Sequence, residues 1–250
     1  MGMKISKMGL SIAHNITLLG INNATLDGSN RMYQLEIGNM SNRLQITLRD
    51  ILFVNFPRVY SNANLTLERC HFINSTFSVN DGSLIARDCT FEHGKLRSCS
   101  DDSGGLALHH VTGALTNCSF IGNDAFLNTS ACNGGAGEGL VVSCSNITLI
   151  DPVIESNIAA WGGGITAYNS TLKIHGGRIM HNRALPVNHT NPVSHFGGIG
   201  GAIDAVRSKV TLDNTIISGN LARVAAAINS TKNSEIRLLG NVVTSDNREI

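Results

Sequence analysis

Residues 162–182 read GGGITAYNSTLKIHGGRIMHN, and this stretch decides the fold. Leu172 and Ile174 are two residues apart, so their side chains point to the same face of a strand. Ile179 follows seven residues after Leu172, and that odd step requires a bend between two short strands. Asn182 ends the unit three residues later. The stretch therefore predicts very short strands separated by turns.

The same pattern recurs along most of the chain. Nine copies cover residues 16 to 246 at spacings of 19 to 38 residues, and they begin at Ile16, Ile46, Leu65, Leu84, Gly113, Ile147, Leu172, Val210 and Ile236. In this alignment Asn23 and Val243 take the plus-seven position of the first and last copies. A unit this short cannot bury its own apolar face, and such a period is typical of stacked repeats.

Stacked in parallel about 4.8 Å apart, the copies form a solenoid with a continuous apolar interior. The sequence therefore predicts an all-β chain, a right-handed parallel β-helix of roughly nine to ten coils, with residues 1–250 as a single domain. Leu172, Val210 and Ile236 should then lie in one sheet. Glycines should provide the corners with positive φ, and the asparagines at plus ten should form a ladder between coils.

Composition excludes several classes of protein. The chain has 250 residues, 15% of them charged, and a formal net charge of +1. So few charges argue against a disordered chain, and the near-neutral balance argues against a nucleic-acid partner. No stretch of 18 apolar residues is present, so we expect no membrane-spanning helix. No glycine-rich phosphate loop ends in Lys-Ser/Thr, and we expect no cofactor.

Asn-x-Ser/Thr acceptor sites suggest an extracellular or cell-surface location. Eleven are present, at Asn15, Asn23, Asn39, Asn64, Asn74, Asn117, Asn128, Asn146, Asn169, Asn188 and Asn229. Such sites suit a secreted surface, although a chain rich in Asn, Ser and Thr also produces them by chance. The first residues have no apolar signal-peptide core, and neither end shows a polar cap. We therefore expect a fragment of a longer repeat protein, or a chain that associates end to end.

The repeat also resembles a known family. Gly200-Gly201-Ala202-Ile203 and Phe120-Ile-Gly-Asn123 resemble the Gly-Gly-Ala-Ile and Phe-x-x-Asn repeat of the polymorphic outer membrane proteins, surface adhesins of obligate intracellular bacteria. The resemblance is strongest between Gly104 and Asn220, although Ile replaces Phe in three of the four best copies. It implies a parallel β-helix used in adhesion, with host or cell-surface glycans or proteins as partners.

The cysteines fall into two sets. Cys70, Cys89 and Cys118 take the plus-five position of consecutive copies. We interpret them as a column of small buried side chains rather than as a metal site or disulfides. Cys99 and Cys132 precede Leu106 and Leu140, matching points of adjacent coils, by seven and eight residues. That spacing makes them a candidate disulfide.

Parallel β-helices often act on polysaccharides, so an enzyme is the alternative reading. The weak catalytic candidates are Asp101, Asp102 and His109, in or near a Ser/Gly loop. They would make the chain a pectin lyase-like hydrolase or lyase. Glycoside cleavage needs two convergent carboxyl groups, and the chain has few acids placed to provide them. We expect a non-enzymatic protein that serves adhesion or a structural surface role.

Overall fold

The computed structural model describes residues 3–6, 9–29, 34–38, 43–96, 103–126, 139–187, 196–231 and 233–250. These residues form strands and turns, with no helix among them. The strands of the first half are β1 (Met3–Ser6), β2 (Gly9–Ile12), β3 (Ile16–Leu19), β4 (Thr25–Asp27), β5 (Gln34–Ile37), β6 (Gln45–Arg49), β7 (Leu52–Val54), β8 (Arg58–Ser61), β9 (Asn64–Glu68), β10 (His71–Ile73), β11 (Phe77–Asn80), β12 (Ser83–Arg87), β13 (Thr90–Glu92), β14 (Leu106–His109), β15 (Thr112–Thr116) and β16 (Ser119–Ile121). Those of the second half are β17 (Leu140–Ser143), β18 (Asn146–Ile150), β19 (Val153–Glu155), β20 (Ile158–Ala159), β21 (Ile165–Tyr168), β22 (Thr171–His175), β23 (Arg178–Met180), β24 (Arg183–Ala184), β25 (Pro186–Val187), β26 (Phe196–Gly197), β27 (Ile203–Val206), β28 (Lys209–Asp213), β29 (Ile216–Ser218), β30 (Leu221–Ala222), β31 (Ile228–Ser230), β32 (Glu235–Leu239), β33 (Val243–Ser245) and β34 (Arg248–Glu249).

Three long sheets run along the stack. Sheet A has the order β1-β2-β5-β8-β11-β14-β17-β21-β27-β31, sheet B the order β3-β6-β9-β12-β15-β18-β22-β28-β32, and sheet C the order β33-β29-β23-β19-β16-β13-β10-β7-β4. Each coil contributes one strand to A, then to B, then to C, and the described residues form nine such coils. The predicted parallel β-helix is confirmed, and the crossover rule for parallel strands gives it a right-handed sense.

The register of the paired strands confirms the repeat alignment in the middle of the chain and corrects it in the first and last coils. Leu172 pairs with Val210, and Val210 with Ile236, all in sheet B. In the first coil Leu26, not Asn23, pairs with Phe53 in sheet C. In the last coil Thr244, not Val243, pairs with Ile217. Extra turn residues shift these two copies, and a fixed plus-seven spacing does not allow for them.

The prediction that the coils begin near Ile16 is also wrong. The first coil begins with β2, and β1 pairs with it antiparallel, from Met3 opposite Ile12 to Ser6 opposite Gly9. Sheet A thus has an antiparallel strand beside its first parallel strand. β25 and β26 form a second antiparallel pair, from Pro186 opposite Gly197 to Val187 opposite Phe196.

The interior is filled by columns of identical or similar side chains. Phe53, Phe72, Phe91 and Phe120 stack with centroids 4.6, 5.0 and 5.2 Å apart and planes within 7° of parallel. The column continues with the fully buried Ile154, Ile179 and Ile217. The strand spacing of about 4.8 Å suits offset aromatic stacking, which stabilises beyond simple burial of area.

The predicted asparagine ladder is present, and Asn123, Asn157, Asn182 and Asn220 within it are fully buried. Asn157 Nδ2 donates to Asn182 Oδ1 at 2.9 Å, and Asn182 Nδ2 donates to Asn220 Oδ1 at 3.0 Å. Each amide nitrogen also donates to a backbone carbonyl of the preceding coil, and each amide oxygen also accepts a backbone N–H. The ladder runs on to Asn123 and Asn247. Every polar atom of a buried rung is therefore satisfied.

A second ladder, of serines, was not predicted. The backbone N–H groups of Ser145, Ser170 and Ser208 donate to the hydroxyls of Ser170, Ser208 and Ser234, at 3.0 to 3.1 Å. Each of these serines sits two residues before the first apolar position of its repeat copy. This regular offset is visible in the sequence, although only in the last four coils.

Residues in the left-handed conformation turn the coils. Between sheets B and C of coils two to nine the equivalent corners are Asp50, Arg69, Asp88, Asn117, Asp151, Gly176, Asn214 and Gly240, with φ between 48° and 69°. The prediction that glycines would supply the corners is thus wrong for most of them. Asp and Asn tolerate this conformation because their short polar side chains bond locally. Glycine is instead needed where coils approach closely: a Cβ on Gly201 would lie 2.3 Å from the Ala226 carbonyl oxygen.

Candidate functional site

A groove of about 670 Å³ lies on the outside of the first three coils. Its floor is the outer face of sheet C, where Leu52 of β7 and His71 of β10 pair side by side. One wall is the turn between β3 and β4. Leu18 and Leu26 are eight residues apart, whereas their partners Leu48 and Phe53 are five apart. Three extra turn residues thus build a wall that the other coils lack.

The second feature of the groove is an ion pair between two corner residues. Asp50 and Arg69 take the same corner in coils two and three, so their side chains stack. The Arg69 Nε and Nη2 atoms donate to the two carboxylate oxygens of Asp50 at 2.6 and 2.9 Å. This bidentate contact lowers the pKa of Asp50 from its usual value and raises that of Arg69. Asp50 is therefore a carboxylate at neutral pH and a poor proton donor or base.

The remaining polar groups suit recognition of hydroxyl-rich ligands. His71 is exposed, and Asn22 and Asn23 hold left-handed conformations at the tip of the wall, with φ of 54° and 58°. Amide, imidazole, guanidinium and carboxylate groups together offer donors and acceptors in one open groove. The groove thus offers polar groups to a ligand. Among its described lining residues Asp50 is the one carboxyl, and it is bonded to Arg69, whereas glycoside cleavage uses two carboxyl groups.

This groove was missed in the sequence, although a signal for it was present. Asp50 and Arg69 both lie four residues after the start of consecutive copies, at Ile46 and Leu65. Opposite charges at the same repeat position of adjacent coils predict an ion pair across the stack. The wall was not predictable from the repeat, because the first copy was aligned with Asn23 in the place of Leu26.

Only one of the catalytic candidates falls within the described residues. Asp101 and Asp102 lie outside them, as do Cys99 and Cys132 of the candidate disulfide. His109 is the half-buried last residue of β14, and its partners in the adjacent strands are Asn80 and Ser143. Neither of these two strand partners is an acid or a base.

A different acid is buried on sheet A. Asp204 of β27 is 4% exposed, and burial raises its pKa, opposed by a hydrogen bond from Asn229 Nδ2 to its Oδ1 at 2.7 Å. Its strand neighbours are Thr166 and Asn229. Burial is the largest influence on the pKa of this carboxyl, and it acts against the charged form. No second carboxyl occupies the paired positions beside it.

The cysteine column is present as predicted. Cys70, Cys89 and Cys118 are buried, and each thiol contacts the carbonyl oxygen two residues before it. Hydrogen bonding to the Cys118 thiol and burial raise the pKa of Cys89 to about 12. The thiol therefore stays protonated at neutral pH. Within the described ranges, no three His, Cys, Asp or Glu side chains converge to hold a metal ion.

Eight of the eleven acceptor asparagines fall in described segments; Asn39, Asn128 and Asn188 do not. Asn15, Asn23, Asn117, Asn146 and Asn169 are exposed, and Asn64, Asn74 and Asn229 are half-buried. A glycan would be attached to the side-chain nitrogen Nδ2, and in three of them this atom already donates a hydrogen bond. The bonds run from Asn74 to Asn55, from Asn117 to Asp88 and from Asn229 to Asp204. A glycan on Asn23 would occupy the groove itself.

Comparison with known proteins adds no family. No protein-family model matches the chain, and no curated protein matches it. The part of the chain that the structure describes contains no helix long and apolar enough to cross a membrane.

Proposed function

We propose that this chain is a non-enzymatic β-helix repeat protein of the cell surface or extracellular space that serves adhesion or a structural surface role. The observation that carries the proposal is the groove of Asp50, Arg69 and His71, whose described lining offers polar groups for binding and a single carboxyl that is already bonded to arginine. The eleven acceptor sites and the resemblance to polymorphic outer membrane proteins support the location.

Rigidity also supports this role. The buried asparagines of the ladder have all their polar atoms hydrogen-bonded, and the stacked phenylalanines fill the interior beside them. A surface that needs no rearrangement loses little conformational entropy when it binds. The long faces of the stack can therefore present fixed polar groups to glycans or proteins of another surface.

The test is a binding array of glycans and cell-surface proteins, run beside a reducing-end assay on acidic polysaccharides. We expect binding without turnover. Replacing His71 by Ala and Arg69 by Gln should weaken binding to the array. Arg87→Gln, an exposed change on β12 outside the groove, is the control and should have no effect. Binding that survives both groove changes would refute the assignment of the groove.

A carbohydrate-active enzyme is the second candidate, and Asp204 is the observation that favours it. A general acid needs a carboxyl with a raised pKa, and burial raises the pKa of Asp204. A second carboxyl would still be needed, and Asp101 and Asp102 are the candidates from the sequence. Turnover in the reducing-end assay that is lost in Asp204→Asn or Asp102→Asn would overturn the adhesion proposal.

A further inference from the structure

The outer face of sheet B changes character along the stack. In the fifth and sixth coils, β15 and β18 present only uncharged side chains there: Thr112, Ala114, Thr116, Asn146, Thr148 and Ile150. In the last three coils the same face carries Lys173 of β22, Lys209 of β28 and Arg237 of β32, all exposed. Three cations thus lie on three adjacent strands.

Strand register fixes the geometry of these cations. Lys173 pairs with Thr211, and Thr211 pairs with Arg237, so the two cations stand in one column, about 10 Å apart over two strand spacings. Lys209 lies two residues before Thr211 on the middle strand, which places it about 8 Å diagonally from Lys173. Together they surround a shallow depression of about 160 Å³.

Nearby acids neutralise only part of this charge. Glu235 forms an ion pair with Arg237 on the same strand, with its Oε1 atom 2.6 Å from Nε, and it lies opposite Lys209 in the strand register. Asp213, at the far edge of the face, lies 3.2 Å from His175. Neither Lys173 nor Lys209 forms an ion pair with any residue that the structure describes. Two lysine ammonium groups therefore remain available on the outer face of sheet B.

We propose that Lys173, Lys209 and Arg237 form a binding site for an acidic polysaccharide, a sugar chain that carries carboxylate or sulfate groups. A chain with regularly repeated anions matches cations held at fixed spacings by the strands. Thr211 lies between Lys173 and Arg237, and Thr171 lies opposite Lys209, so both hydroxyls can bond to sugar hydroxyls. The depression is lined by no aromatic ring on which nucleic-acid bases would stack. The inference rests on the proposed role in surface binding.

The test measures binding of the whole chain to dextran sulfate and polygalacturonate, with neutral dextran and a single-stranded DNA homopolymer as comparison probes. The Lys173→Gln/Lys209→Gln double variant removes two charges from exposed positions. Arg87→Gln/Lys95→Gln removes the same number from exposed positions elsewhere and is the matched control. We expect roughly tenfold weaker binding of the acidic polysaccharides to the first double variant and little change for the control. Binding should also weaken as salt is raised.

Three results would overturn the proposal: equal losses in both double variants, binding of neutral dextran as strong as that of dextran sulfate, or preferential binding of DNA. These outcomes are distinguishable from failure of the proposed function. If the array detects binding that depends on His71 but not on Lys173 and Lys209, the groove stands and the cationic site fails. If the chain binds nothing on the array or in this assay, both fail.

Discussion

The asparagine ladder makes a sharp prediction for the variant Asn182→Ala. Asn182 sits at the centre of the ladder and is fully buried. Its Oδ1 atom accepts the backbone N–H and the side-chain amide of Asn157, at 3.1 and 2.9 Å. Its Nδ2 atom donates to the carbonyl of Ile154 and to Asn220 Oδ1, at 2.9 and 3.0 Å. Alanine removes all four bonds at once.

The size of the effect follows from what is left unpaired. The Asn157 backbone N–H loses its acceptor in the dry interior, and the Ile154 carbonyl loses this donor. Asn157 Nδ2 and Asn220 Oδ1 each keep one partner, Phe120 and the Asn182 backbone. A buried unsatisfied polar group costs about 1–3 kcal/mol, so we expect a loss of about 3–5 kcal/mol in the free energy of unfolding.

The assay is urea denaturation followed by circular dichroism, with Asn146→Ala as the control. Asn146 is an exposed residue of β18, so its replacement should change stability by less than about 0.5 kcal/mol. Native-state hydrogen exchange should also show faster exchange of the Asn157 amide in Asn182→Ala. The reasoning is refuted if the two alanine variants have the same unfolding midpoint, or if the Asn157 amide remains fully protected.

Four further outcomes are expected. Phe91→Ala opens the stacked column between two neighbouring rings and should lower stability by about 3–5 kcal/mol in the same denaturation assay. Cys89 has a pKa of about 12 and is buried, so it should resist alkylation in the native chain at pH 8, whereas the exposed Cys144 should react. Peptide mass mapping measures the labelling of each cysteine, and equal labelling would contradict the buried column. Because burial raises the pKa of Asp204, the wild type should lose stability relative to Asp204→Asn as pH rises above about 4, and parallel pH profiles would contradict this. Leu238 continues the interior column of Leu212 in the last coil, yet it is 58% exposed. We therefore expect light scattering to show that the isolated chain self-associates, and a stable monomer would argue against this.

Most of the fold could be predicted from the sequence because a solenoid is specified locally. Offsets of two residues fix which side chains share a face, and repetition of the copies fixes the stacking, as the pairing of Leu172 with Val210 shows. The fixed spacing failed where turn length changes, as at Leu26 and Thr244. The antiparallel strand β1 lies before the first repeat copy, so the repeat pattern could not predict it.

The binding surfaces were harder to predict, because they depend on residues that the repeat does not constrain. Outward positions accept any polar side chain, so the pattern that places Lys173 and Asp50 on the surface says nothing about their neighbours. Those neighbours follow once register is known: Arg69 lies over Asp50, and Thr211 lies between Lys173 and Arg237.

In a parallel stack, residues 19 to 38 positions apart in sequence become neighbours about 4.8 Å apart. A search for adjacent acids, such as Asp101 and Asp102, therefore examines the wrong spacing for this fold. Functional groups in a β-helix converge along columns, at one position of consecutive copies. Asp50 and Arg69 meet at the plus-four position in this way, and Lys173 and Arg237 share another column two coils apart. An alignment that first allows for insertions in the turns, and then compares outward columns for charge, would find both sites from the sequence alone.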